Sequence, residues 1–296
     1  MNLNDLLGAN NIDPQHVLVF RHRPREPELN KVLPWLAAEK PDVFNAYQQT
    51  QRERLEKVMD AMTGAGYVAS FIRRDPGTAL FIGLYSIKSS RPLTYKKFWQ
   101  VPAYTEMKAF GMKGWFSQPD TWQQSVLWFD LVLTPFYAEW KGRLIVGWPP
   151  PERSWWRRAH RNEFPVLAIL EDSALDAAMP EWNEMLLTWE QLGVLPTRWK
   201  SALAQWRGVY YIFDTSDGKG YVGSAYGESN ILGRWLNYAA RSHGGNRLLR
   251  QRDPCHFRFT ILQRVSPDMH ATDVIRLENT WKKRLHTRQP HGLNDN

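Results

Sequence analysis

Tyr210, Tyr221, Arg234, Tyr238 and Glu278 are the residues of this chain whose types and spacing suit a chemical step. A phenol can hold or pass a proton, a guanidinium offers a planar pair of donors to an anion, and a carboxylate can hold a cation. Such a set suits hydrolysis at a phosphate. That reaction needs an activated water, charge stabilisation on the phosphate and help for the leaving oxygen.

The elements around these residues explain how they could meet. Val209 to Phe213 is apolar and aromatic, the run Asp214 to Gly220 is rich in turn formers, and Tyr221-Val222-Gly223 follows, which is the pattern of a β-hairpin. Pairing of its strands would bring Tyr210 and Tyr221 to the border of one pocket. Ser229 can cap a helix running to Arg241, with Leu232, Trp235, Leu236 and Ala239 as its apolar stripe. Arg234 and Tyr238 would project together from a face away from that stripe. A second helix is expected over 272–285, where Val274, Leu277, Trp281 and Leu285 recur at helical spacing and Glu278 falls inside the inward stripe. A carboxylate there must meet a cation, either a basic side chain such as Arg276 or Lys282, or a metal.

These residues carry a resemblance. Gly208-Val209-Tyr210, then Tyr221-Val222-Gly223-Ser224-Ala225, Arg234-Trp235, Glu278 and Gly292-Leu293-Asn294 resemble, in order, the motifs of the GIY-YIG nuclease family over residues 206–296. Val209 and Val222 stand where the family has isoleucine. The resemblance implies a small antiparallel sheet flanked by helices and a metal-dependent endonuclease. It implies that Glu278 holds one divalent ion, Mg²⁺ or Mn²⁺, and that Arg234 neutralises phosphate oxygens. Tyr210 or Tyr221 would orient or deprotonate water, with Tyr210 the first choice, and Tyr238 would bond the phosphate or the water. Gly208, Gly223, His243 and Asn294 would support the site. For His243-Gly244-Gly245-Asn246 a helix stop and a phosphate cradle both remain open.

Composition agrees without identifying a substrate. The 296 residues have room for two domains, and 43% hydrophobic content excludes a disordered chain. The net charge is +8. From Gly208 onward thirteen Lys and Arg face eight Asp and Glu, a balance that suits a polyanionic partner, which the nuclease resemblance implies is double-stranded DNA. The single cysteine, Cys255, excludes an internal disulfide, and neither a signal-peptide pattern nor a long apolar run is seen, so the expectation is a cytoplasmic protein with no membrane partner.

The region before the hairpin holds most of the fifteen tryptophans. Trp122, Trp128, Trp140, Trp148, Trp155 and Trp156 are interleaved with Lys141, Arg143, Arg153, Arg157 and Arg158. Strand-like runs at 67–72, 79–87, 127–133, 143–148 and 164–170, with helices at 41–63 and 174–191, point to a mixed α/β domain, barrel-like in its strands. Leu195-Pro196 marks a boundary, after which Trp199, Leu203 and Trp206 suit a short docking helix. The expected organisation is α+β: a sensing domain at 1–172, a helical linker at 173–205 and a nuclease domain at 206–296. The stretch 137–158 resembles PUA-like domains that read modified bases, and its Trp148, Trp155, Trp156 and Arg153 are the candidates for stacking on an extruded base and holding its phosphates. Such a domain ahead of a GIY-YIG nuclease looks like a modification-dependent restriction enzyme acting on modified cytosine in phage DNA, with a homodimer for double-strand cleavage. Rival readings are a sequence-specific restriction, homing or repair endonuclease and, from another class, a DNA-binding protein with an inactive nuclease fold.

Overall fold

The computed structural model describes residues 1–114, 125–176, 178–228, 230–241 and 246–295. They form an α+β protein of two compact units, Met1–Asp176 and Ala177–Asn296.

The first unit contains α1 (Leu3–Ala9), β1 (Val17–His22), α2 (Pro27–Glu39), α3 (Pro41–Gln48), α4 (Glu53–Asp60), β2 (Tyr67–Arg73), β3 (Thr78–Thr94), α5 (Tyr95–Phe98), α6 (Pro102–Lys108), β4 (Ser125–Leu133), β5 (Leu144–Gly147), β6 (Trp156–Arg158) and β7 (Val166–Ile169). The strands follow the order β6-β1-β2-β3-β5-β7, and β4 pairs with the long β3 off this path. Only β1 and β2 run parallel among the described strand pairs; the others are antiparallel. Among the described residues no pairing joins β6 to β7, so the sheet is open where the expected barrel would close. Apolar layers cover both faces. Phe71 and Phe81 meet Leu3, Leu7 and Phe164 on one side, while Ile72 and Leu80 meet Leu33, Phe44 and Phe98 on the other. Burial on both sides explains why β1 is buried along its whole length rather than alternating.

Several sequence expectations need correction. The helix expected over 41–63 is two helices, broken at Gln49–Arg52. α2 passes Pro34, a residue that weakens the helical pattern in sequence. The helix expected over 174–191 is absent among the described residues there; Leu186–Thr188 is a strand and a short helix begins only at Trp189.

β1 ends in a buried polar corner. His22 Nε2 lies 3.2 Å from Gln48 Oε1 and 3.0 Å from Ser70 Oγ, with the rings of Phe20, Phe44 and Tyr47 around it. Burial pulls the imidazole down to about 4, so the fold holds it neutral. The unfolded chain takes up this proton near the ordinary value of 6.5 while the folded chain refuses it until about 4. This contribution to stability is therefore complete above pH 6.5 and lost on acidification, by about 3 kcal/mol at pH 4. Urea unfolding at pH values across that window should show the loss in the parent chain and a flatter profile in His22→Gln. An identical pH slope in both chains would exclude His22 as its source.

The second unit contains β8 (Leu186–Thr188), α7 (Trp189–Gly193), α8 (Thr197–Gln205), β9 (Arg207–Asp214), β10 (Gly220–Ala225), α9 (Asn230–Arg241), β11 (Phe257–Val265) and α10 (Ala271–Arg284). Its four strands form an antiparallel sheet in the order β10-β9-β11-β8. The segment read in sequence as a linker thus supplies an edge strand, β8, and Leu203 of α8 enters the core beside Ile231 and Trp235 of α9. Burial of large rings such as Trp235 contributes on the order of 3 kcal/mol each before entropy is charged against it.

Candidate active site

The hairpin β9-β10 carries Tyr210 and Tyr221, as its turn chemistry predicts. Tyr210 sits opposite Gly223, and Tyr221 opposite Ile212. A Cβ at Gly223 would run into Tyr210 Oη, so the glycine is what lets the phenol lie across the neighbouring strand. Gly208 has a similar steric reason. At the bulge between Ile261 and Gln263 its missing Cβ leaves room for the Gln263 carbonyl.

Tyr238 joins these two phenols from α9, on a face other than the one expected. Ile231, Trp235 and Tyr238 are the buried residues of this helix, while Leu236 is exposed. The inward stripe therefore runs through Tyr238, and Arg234, exposed, stands at its margin. The outcome is a relay of phenols. Tyr210 Oη donates to Tyr238 Oη at 3.4 Å, and Tyr238 Oη donates to Tyr221 Oη at 3.0 Å. Tyr210, 1% exposed, is the inner end, whereas Tyr221 is only half-buried. Burial first, then the neighbouring phenols, pushes Tyr210 well above the usual phenol range, and Arg234 pulls against the shift. Tyr221 is pushed up by burial, by Tyr238 and by the charge of Glu278, again opposed by Arg234. Both shifts keep the phenols neutral at neutral pH.

Glu278 projects from α10 toward β10, and both its oxygens are engaged. Ser224 Oγ donates to Oε2, and Lys282 Nζ lies 2.7 Å from Oε1. Of the two cation partners read from sequence, Lys282 makes the ion pair, while Arg276 instead pairs with Asp273. Ser224, which sequence reasoning did not single out, follows directly on Tyr221-Val222-Gly223. Its register, opposite Val209, places it on the face of the strand pair away from Tyr210 and Tyr221, so the alternation of the hairpin gave no signal for it. The donor set is one carboxylate and one hydroxyl, hard oxygens that fit Mg²⁺ or Mn²⁺, ions that usually keep several waters on one or two carboxylates.

Asn294 does its work on backbone. Its Nδ2 donates to the Val222 carbonyl at 2.8 Å and its Oδ1 accepts from the Val222 amide at 3.0 Å, which pins the segment between Tyr221 and Gly223. Asn246 holds this closing segment from outside by donating to the Leu293 carbonyl at 3.1 Å. His243, and the expected cap Ser229, lie outside the described residues. A cleft of about 720 Å³ in this unit is bordered by Ser216, Lys219, Arg252, His256 and Gln289, none of them a member of the phenol and carboxylate set. Asp253, Cys255 and His256 beside it bring their ligating atoms within 4.8 Å of one another, a closeness set by the turn that Asp253 caps.

The candidates in the first unit separate. Trp148 is a core residue: Arg21 covers its ring at 4.8 Å, Phe164 packs at 5.4 Å and its Nε1 donates to the Ser154 carbonyl at 3.0 Å. No face of it is left for a base, which corrects its assignment as a stacking residue. Trp155 and Trp156 are half-buried and Arg153 is exposed. No helix among the described residues is long and apolar enough to cross a membrane.

Comparison with solved structures finds the catalytic domain of the homing endonuclease I-TevI, 26% identical, covering 30% of this chain and 98% of that domain with a TM-score of 0.26. No protein-family description and no curated protein matches the chain.

Proposed function

We propose that this protein is an endonuclease that hydrolyses phosphodiester bonds of double-stranded DNA at the Tyr221, Arg234 and Glu278 site of its second unit. The observation that carries the reading is a relay of three phenols, with an exposed guanidinium whose charge acts on both hairpin phenols and a carboxylate whose charge acts on Tyr221. A divalent ion, Mg²⁺ or Mn²⁺, held by Glu278 would supply Lewis-acid polarisation of the phosphate and a more acidic water. Arg234, on the solvent side, offers its fork to the nonbridging oxygens. Tyr221 Oη, the end of the relay nearest water, orients the attacking water and accepts its proton once ionised. Tyr238 supports Tyr221 by donating to its oxygen. Asn294 keeps the Tyr221 strand in place.

We further propose that the first unit selects the substrate, and that the substrate is DNA carrying modified cytosine, so that the whole acts as a restriction enzyme against phage. The support is the half-buried Trp155 and Trp156 next to the exposed Arg153, aromatic faces beside positive charge of the kind that holds an extruded base and its phosphates. Two copies would be needed to cut both strands at once. Cleavage of unmodified, 5-methylcytosine, 5-hydroxymethylcytosine and glucosylated DNA should favour one modified form in the full chain, while residues 177–296 alone should bind DNA in a strongly salt-dependent way without that preference. Equal cutting of all four substrates by the full chain would sink the modification reading and leave the nuclease reading standing.

A further inference from the structure

Glu278 carries its own cation before any metal arrives. Lys282, one helical turn on in α10, is 4% exposed and its ammonium lies 2.7 Å from Glu278 Oε1; the carboxylate itself is 16% exposed. Ser224 Oγ takes the other oxygen. The pair is thus largely desolvated, and its charges cancel inside the unit. A divalent ion bound at the carboxylate oxygen that already holds the ammonium would meet a strong repulsion, because two positive charges would sit close together in a poorly screened site. Lysine suits a partner that must yield, since its compact charge sits on a flexible four-carbon stem with no fixed fork.

We propose that Lys282 is the resident counter-ion of the metal site, so that a divalent ion binds Glu278 only by exchanging with the Lys282 ammonium. The inference rests on the nuclease reading above, in which Glu278 is the metal-binding carboxylate. The ion pair keeps the unit folded without metal and sets a threshold on metal affinity. Taking away the ammonium while leaving the carboxylate strands a half-buried negative charge with the Ser224 hydroxyl still on Oε2, and a metal ion would then replace the lost positive charge.

The test uses the full chain and its Lys282→Met and Lys282→Gln variants, with Mn²⁺ binding read by electron paramagnetic resonance and melting followed in EDTA and in Mn²⁺. Both variants are expected to bind Mn²⁺ about ten-fold or more tightly than the parent chain, the direction set by an uncompensated buried charge. They should also melt lower in EDTA and gain more from Mn²⁺ than the parent does. A lysine that merely packs the helix would lower melting equally with and without the ion. Affinity equal to or weaker than that of the parent in the variants that fold would overturn the exchange. If both variants are unfolded in EDTA, the proposal requires Mn²⁺ to restore the fold, and failure to do so counts against it. A parent chain that neither binds Mn²⁺ nor cuts DNA would sink the nuclease reading itself, whereas one that binds and cuts, with variants that bind no tighter, sinks only the exchange.

Discussion

Glu278→Gln is expected to lower DNA cleavage by at least about 10³-fold, the scale on which losing one electrostatic stabiliser of a transition state is felt. The amide keeps the size of the side chain and removes the charge that would hold a divalent ion. The structure adds a second consequence that the sequence did not suggest. Lys282 is more buried than Glu278 and would lose that partner's charge, so the single variant should also be less stable than the parent chain. Lost activity alone would then be ambiguous between chemistry and folding. Glu278→Gln combined with Lys282→Met removes both charges and should recover most of the stability without recovering any cleavage. Single-turnover cleavage and thermal melting of the two variants separate the effects. Normal cutting by the double variant in Mg²⁺ would remove Glu278 from the mechanism.

How legible the site was depended on how far each residue's position follows from local rules. The hairpin could be read because a turn-rich run between two aromatic strands leaves little freedom in pairing, and the rings of Tyr210 and Tyr221 lie 6.5 Å apart. Helix α10 could be read because its apolar spacing is regular. The face of α9 was misjudged because Leu236 outranks Tyr238 in hydropathy, yet the helix turns its tyrosine inward, where two other phenols satisfy the hydroxyl. Pattern alone cannot weigh a hydrogen bond to residues far along the chain. β11 was missed although Phe257, Phe259 and Ile261 alternate inward with Arg258, Thr260 and Leu262 between them, a period-two signal that was present to be used. In the first unit the tryptophans misled for a different reason. An indole beside arginine reads the same whether it awaits a base or packs under a guanidinium, and Trp148 does the second.

Tyr221→Phe is expected to slow cleavage by about 10²- to 10⁴-fold, the range for loss of a general base, and Tyr210→Phe by about ten-fold or less. The order reverses the first choice drawn from sequence, where Tyr210 led. A difference in burial motivates the change. Tyr210 bonds Tyr238, has almost no surface and is surrounded by core, so no water reaches its oxygen. Tyr221 accepts from Tyr238 and is half-buried, which leaves its own hydroxyl directed to whatever enters the site. Ionisation is costly for both and Arg234 acts on both, but only Tyr221 has the exposure through which a substrate, or a divalent ion held by Glu278, would act on it; a buried Tyr210 could ionise only by passing its burden along the relay. Rates measured in single turnover at saturating Mg²⁺, with melting curves to exclude unfolding, decide the matter. The rate of the parent chain should also climb with pH, because the base must lose its proton before it can take one from water, and Tyr221→Phe should flatten that climb. A larger defect in Tyr210→Phe than in Tyr221→Phe, in variants that melt like the parent, would return the base to the inner phenol and would require the site to open so that water can reach it.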